Sequence, residues 1–234
     1  MKFLTRGLFA LTLAIIFQSQ LFAEYLYKDE VVQRANFQDQ IELLGHELYT
    51  KTGISLKLVM IKELPKEDTI VAYEKEILDS FSEPTILLTF SELDTKIDIL
   101  VNDHSLYKYF DRAKVLTPVA SPVQAFFMAV MYAENFESFN KIRHSYGGSI
   151  LPLLSPKTKP EQVVGMYAGA MYNGYLDIAQ QVSSSKGIKL ENDPGKTNET
   201  TIFYVRIFFY SFVLYGIVMI IRRTIYRMRH KNEK

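Results

Sequence analysis

Four side chains suited to metal binding or acid–base chemistry lie around one predicted β-hairpin: Asp94, Asp98, Asp103 and His104. Carboxylates and imidazole are common ligands of divalent metals, and His104 follows the end of a strand, where α/β sheets place ligands. Alternating hairpin residues rarely converge, however, and Asn102-Asp103-His104-Ser105 is also typical of a helix N-cap. The sequence therefore predicts no catalytic residue and no metal, with this four-residue site as the alternative.

Nucleophilic catalysis has little support in the sequence. Ser183, Ser184, Ser185 and Lys186 have the composition of a Ser/Lys pair, but no sharp turn or partner base accompanies them. The run is more typical of a helix end. His46 lies on a predicted helix and is expected at the surface. The chain contains no Cys, which excludes thiol nucleophiles, Cys-ligated metals and disulfides.

Two stretches carry an unusual density of Met and aromatic residues. Residues 123–132 are apolar on nearly every side of a helix and include Phe126 and Phe127. Residues 165–175 place small residues four apart, with larger side chains between them: Met166, Tyr167, Met171, Tyr172 and Tyr175. Small residues allow close helix approach, and Met and Tyr are enriched at protein interfaces. Burial in the core and contact with a partner both fit, and contact with the membrane is a further alternative for residues 123–132. We predict these seven residues as partner-binding positions.

The elements that position these residues follow from hydrophobic periodicity. Apolar residues at helical spacing predict a helix over 36–49, and Thr52-Gly53 ends it. A strand is predicted over 54–61 and a helix from Asp68 or Thr69 to Phe81. Strands 85–90 and 97–101 flank a tight turn. The second half is predicted helical, with one long helix from Pro122 to about Arg143 and another over 161–184. This order indicates an α/β fold with a small mixed sheet.

One pattern runs through the first half of the chain. It consists of Val31, Val32, Ala35, Ile41, Leu48, Thr52, Gly53 and Ile54, with Thr85, Ile86, Leu87 and Leu88 further along. This pattern resembles the TPM domain family, in which a "VVD-x-AG" opening precedes an amphipathic helix, a "TG-I" turn, a strand and a later "LLL" strand. The resemblance covers about residues 25–110. A signal peptide with one C-terminal span is also a common setting for this domain.

The resemblance implies an α/β/α sandwich and a role in the assembly, repair or regulation of membrane complexes. Some TPM domains bind Ca²⁺ through loop acids, and enzymatic activity is attributed to some members. Here the family's opening Asp is Gln33 and the Gly after Ala is Asn36, while Ser82-Glu83-Pro84 replaces the glycines before the second strand. Because the Asp is missing, no Ca²⁺ site is carried over and no cofactor is predicted.

The two ends of the chain predict a membrane topology. Residues 1–23 have the charged start, short apolar run and terminal Ala of a signal peptide, with an uncleaved anchor as the alternative. Residues 202–221 form an apolar stretch of the length that crosses a bilayer. Residues 24–185 are then an exported domain and 186–201 a polar tether. The tail, 222–234, is basic and contains Arg222, Arg223, Arg227 and Arg229, which predicts a cytoplasmic C-terminus.

The charge distribution agrees with that topology. The chain has a formal charge of +1, but the signal contributes +2 and residues 202–234 contribute +6, so the segment between carries −7. An acidic domain is poorly suited to nucleic acid, and the basic tail is suited to anionic lipid headgroups.

The sequence therefore predicts a non-enzymatic accessory factor, anchored by one span in a bacterial inner membrane with its domain in the periplasm. Its expected partner is a multisubunit complex of the same membrane, such as a respiratory, secretion or flagellar stator complex. One alternative is a periplasmic metal-dependent hydrolase or phosphatase of the TPM type. Another is a passive anchor whose basic tail recruits a cytoplasmic partner.

Overall fold

The computed structural model describes residues 25–65, 69–155, 157–193 and 195–230, with the side chains of 195–206 and 227–230 left out. The predicted signal peptide lies outside the described residues. The chain divides into two compact units, the first ending at Asn192 and the second beginning at Asp193.

A four-stranded mixed sheet forms the centre of the first unit. Its strands are β1 (Leu26–Asp29), β2 (Ser55–Ile61), β3 (Thr85–Ser91) and β4 (Lys96–Val101), in the spatial order β1-β2-β3-β4. β1, β2 and β3 are parallel, and β4 is antiparallel to β3. β2 and β3 are buried on both faces, which explains their almost continuously apolar sequences. The predicted α/β class with a small mixed sheet is confirmed.

Helices pack on both faces of this sheet. Helix α1 (Ala35–Thr52) ends at Gly53, whose φ of +72° is the left-handed conformation that glycine adopts readily. Its residues Ile41, Leu44 and Leu48 pack in one core cluster with alternate residues of β2 and β3. Helix α2 (Ile70–Leu78), capped by the Thr69 hydroxyl, packs against the opposite face. The sheet therefore has two apolar clusters, one on each side.

The second half of the unit is helical, as predicted, but its long helix is interrupted. After a 3-10 turn (His104–Lys108) and α3 (Arg112–Val115) come α4 (Pro122–Tyr132) and α5 (Phe136–His144). The predicted single helix from Pro122 to Arg143 is wrong because Asn135 and Ser138 form a capping box that starts a new helix. A short α6 (Leu151–Leu154) precedes a second 3-10 turn (Pro160–Gln162) and α7 (Val163–Ser185), which packs against α1.

The second unit is one helix, α8 (Gly195–His230). Within it, Ile207–Tyr226 has a mean hydropathy of 1.5 and is long and apolar enough to cross a membrane. This stretch overlaps the predicted span at 207–221. The connection differs from the predicted tether, because residues up to Asn192 belong to the first unit and α8 begins at Gly195.

Candidate functional site

The four residues of the alternative metal site lie at separate positions. Asp94 lies in the β3–β4 turn, where its carboxylate accepts a hydrogen bond from the Leu64 backbone N–H at 2.8 Å. Asp103 lies beyond the other end of β4 and caps the 3-10 turn through Ser105. The six-residue strand between them is about 20 Å long. Among the described residues, no group of three His, Cys, Asp or Glu side chains could hold a metal ion.

Asp98 instead belongs to a buried polar cluster under α2. It lies directly opposite Thr89 in the β3–β4 register and pairs with the Arg112 guanidinium. Glu74 of α2 is fully buried beside it, and neither Glu74 carboxyl oxygen has a hydrogen-bond partner among the described residues. Arg112 also donates from Nε to the Ile99 carbonyl at 2.9 Å. We name Glu74 and Asp98 the buried acid pair.

Burial and the charge of Asp98 raise the pKa of the Glu74 carboxyl from 4.5 to about 8. Glu74 therefore keeps its proton at neutral pH while Asp98 is paired with Arg112. A carboxyl group with a raised pKa is typical of an acid–base catalyst, but only when the group faces a cleft. Glu74 is 0% exposed, so the pair holds a proton inside the domain.

The sequence contained a signal for this cluster. Glu74 falls between Ile70, Tyr73 and Ile77, on the apolar face of a predicted helix, where a charged residue is unusual. Thr89 interrupts an otherwise apolar strand. Their proximity could not be inferred, because it depends on the face of the sheet against which α2 packs.

The predicted partner-binding residues of α7 divide between the core and the surface of the domain. Met171 and Tyr175 are fully buried, and the Tyr175 hydroxyl donates to the Leu56 carbonyl at 2.7 Å. Burial raises the Tyr175 pKa well above its ordinary value. Tyr167 is half-buried, with its ring 5.0 Å from that of Phe90. Met171 and Tyr175 therefore stabilise the core, because α7 uses them to pack on α1 and the sheet.

The surface part of α7 lies along its first turns. Gly165 and Gly169 are exposed, and a Cβ added at either position would meet no atom within 4 Å. Met166 and Tyr172 are partly exposed. This face is open to a partner.

Phe126 and Phe127 lie on a largely exposed pair of helices, α4 and α5, which we call the hairpin. Ala125 and Ala129 are the buried residues of α4, and no residue of α5 is buried. The hairpin begins and ends at one point, because the Gly147 and Gly148 N–H groups both donate to the Val119 carbonyl. Its large apolar side chains are exposed by 47 to 79%: Val123, Phe126, Phe127, Val130, Met131, Tyr132 and Phe136.

Glu47 of α1 holds the end of the first unit. Its carboxylate accepts from the Asn192 N–H and side-chain amide, each at 2.9 Å, from the Glu191 N–H and from Lys51. Burial raises the pKa of Glu47, but these hydrogen bonds outweigh it and lower the pKa to about 2. The chain is thereby fixed to α1 immediately before the second unit begins.

The serine run and His46 have structural environments. Ser185 donates to the Val182 carbonyl at 2.7 Å, and the Lys186 ammonium donates to the Thr52 carbonyl at 2.7 Å. These contacts close the C-terminal end of α7 against that of α1. His46 is exposed, with its ring 6.5 Å from the Tyr25 ring.

All four predicted tail arginines lie on α8, and the side chains of two of them are described. Arg222 and Arg223 are exposed near the end of the apolar stretch. The side chains of Arg227 and Arg229 lie outside the described residues.

Comparison with known proteins adds no assignment to this geometry. No protein-family model matches the chain, and no curated protein matches it either.

Proposed function

We propose that the chain is a non-enzymatic, single-pass membrane protein whose domain supports the assembly or stability of a multisubunit complex in the same membrane. In this proposal the domain is a TPM-like α/β/α sandwich in the periplasm of a bacterium, and the basic C-terminus is cytoplasmic on anionic lipid. The observation that carries it is the apolar helix Ile207–Tyr226, which follows the domain in one chain.

The distribution of charge supports the orientation. Arg222 and Arg223 lie at one end of the apolar stretch, while residues 24–201 carry a net negative charge. A domain attached in this way meets proteins of its own membrane far more often than soluble ones. The open face of α7 around Gly165, Met166 and Gly169 supports a surface for such a protein, because small residues permit a close approach.

A photo-crosslinking amino acid at Gly169, where a side chain has open space, tests this proposal in the full-length chain. We expect it to capture an integral membrane protein, and deletion of the gene to lower the abundance of that protein's complex. The same amino acid at Leu93, exposed in the β3–β4 turn, is the matched control. Capture of no membrane protein from Gly169, with every membrane complex at its normal level after deletion, would contradict the proposal.

The hydrolase alternative makes a separate prediction about Asp94, Asp98, Asp103 and His104. Asp94 and Asp98 have structural contacts, so their loss lowers stability whatever the function. His104 is exposed, so His104→Ala leaves the fold intact. If the domain is not an enzyme, His104→Ala and Asp103→Ser, which preserves the cap, restore the deletion phenotype fully. Failure of both, at normal protein levels, would favour the hydrolase.

A further inference from the structure

The outer face of α4 is an exposed apolar face. Val123, Phe126, Phe127, Val130 and Met131 follow the spacing i, i+3, i+4, i+7, i+8, which places them on one side of a helix. We call these five residues the apolar stripe. Ala125 and Ala129 lie on the buried side. Apolar residues at this spacing normally pack against a protein core, but here they are exposed to solvent.

Aromatic side chains extend the stripe onto α5. The Phe126 ring lies 6.1 Å from that of Phe139, and the Arg143 guanidinium lies 6.0 Å from the Phe139 ring. Tyr132 and Phe136 add exposed rings at the tip of the hairpin. The seven exposed side chains present on the order of 800 Å² together, about the area that each partner buries in a standard protein interface.

The charges of the hairpin are polarised along its length. No residue of α4 is charged. Glu134 and Glu137 lie near the tip, whereas Lys141 and Arg143 lie at the other end of α5, and all four are exposed. A two-fold axis crossing the hairpin near Phe127 and Asn140 would place the acidic end of one copy against the basic end of another. The charge pattern is therefore complementary to itself.

We propose that the hairpin binds the hairpin of a second copy of this chain, with the stripes in contact and the two copies antiparallel. Four helices then enclose Val123, Phe126, Phe127, Val130 and Met131, and Glu137 of each copy faces the Arg143 end of the other. This inference does not depend on the partner complex.

A lipid surface fits the stripe less well than a second copy. Helices that lie on membranes carry Lys and Arg beside their apolar face. Here α4 carries no charge, and the exposed acids Glu134 and Glu137 of the hairpin balance its bases Lys141 and Arg143. The hairpin therefore lacks the basic border of a membrane-surface helix, and the domain around it is acidic.

Crosslinking is a clean test because the chain contains no Cys, so a single introduced Cys can join only to another molecule. We expect Val130→Cys in the full-length chain, treated in membranes with a short bismaleimide, to give mainly a dimer. Leu93, in the β3–β4 turn, is exposed to a similar degree, and Leu93→Cys is expected to remain a monomer. A Val130→Cys product joined to a different protein, or monomer throughout, would overturn the proposal.

Charge exchange tests the antiparallel geometry. Glu137→Arg and Arg143→Glu are each expected to reduce the dimer yield at least fivefold, and the double variant to restore it. Phe127→Asp is expected to convert the detergent-solubilised chain from dimer to monomer by light scattering. A dimer that survives Phe127→Asp would be held together by another surface and would contradict the proposal. Binding of the domain to anionic vesicles that is lost in Phe127→Asp would also contradict it, in favour of a lipid surface.

Discussion

Replacement of Glu74 by Gln is expected to stabilise the domain at pH 8.5 by several kcal/mol and to remove most of its pH dependence above pH 5. Glu74 has a pKa of about 8 in the folded protein against 4.5 in an unfolded chain. Between these values the folded state holds a proton that the unfolded state has lost. Stability from this group is therefore complete below about pH 4.5 and is lost as the pH rises to 8. The difference corresponds to roughly 5 kcal/mol.

Urea unfolding of residues 25–192 between pH 5 and 9 measures this effect. Glu76→Gln is the matched control, because Glu76 lies on the same helix and is exposed. The control should follow the wild-type profile, whereas Glu74→Gln should diverge from it increasingly as the pH rises. Parallel profiles for wild type and Glu74→Gln would show that Glu74 is not buried as a neutral acid.

Gly45→Ala is expected to destabilise the domain by about 2–3 kcal/mol although alanine favours helices. A Cβ at Gly45 would lie 2.4 Å from the Tyr25 ring and from the Tyr175 hydroxyl. That hydroxyl is fixed by its hydrogen bond to Leu56, so the new methyl group must displace α1 from α7. The loss of packing exceeds the gain in helix propensity.

Gly169→Ala in α7 is the comparison for this substitution and should have the opposite sign. Both glycines lie inside helices, but a Cβ at Gly169 meets no atom within 4 Å. We expect a stabilisation of up to about 1 kcal/mol from the lower entropy of the unfolded chain. Thermal unfolding of both variants measures whether the change in packing or the change in helix propensity determines the stability at each site. Equal effects at the two sites would mean that α1 and α7 are not in close contact.

The local elements were largely predictable because their periodicity is set by residues close in sequence. One helix and three strands appear within a few residues of their predicted ends: the helix over 36–49 and the strands over 54–61, 85–90 and 97–101. The break at Asn135 was missed because a capping box acts through side-chain hydrogen bonds that hydrophobic spacing does not reveal.

Which residues of the helical half are buried could not be predicted, because two segments with similar sequence patterns differ in exposure. Residues 123–132 and 165–175 are both rich in Met and aromatic residues, yet Phe127 is exposed and Tyr175 is fully buried. The difference is tertiary, since α7 has α1 and the sheet beside it. The faces on which α1 and α2 lie could not be predicted either. The strands β1, β2 and β3 are parallel and adjacent in that order, and two right-handed crossovers would place both helices on the same face of the sheet. Because α1 and α2 lie on opposite faces, one of the two crossovers is left-handed, which is the rarer case.

The contact of Glu47 with Asn192 bears on the length of the predicted tether. A free tether over 186–201 would extend to about 55 Å. With Asn192 bound to Glu47, residues 186–192 belong to the first unit, which removes about 20 Å from that length. In the proposed anchored protein, a shorter tether confines the domain to a smaller volume and raises its effective concentration toward neighbours in the membrane. The Glu47 carboxylate would then favour binding at a surface that it does not itself contact.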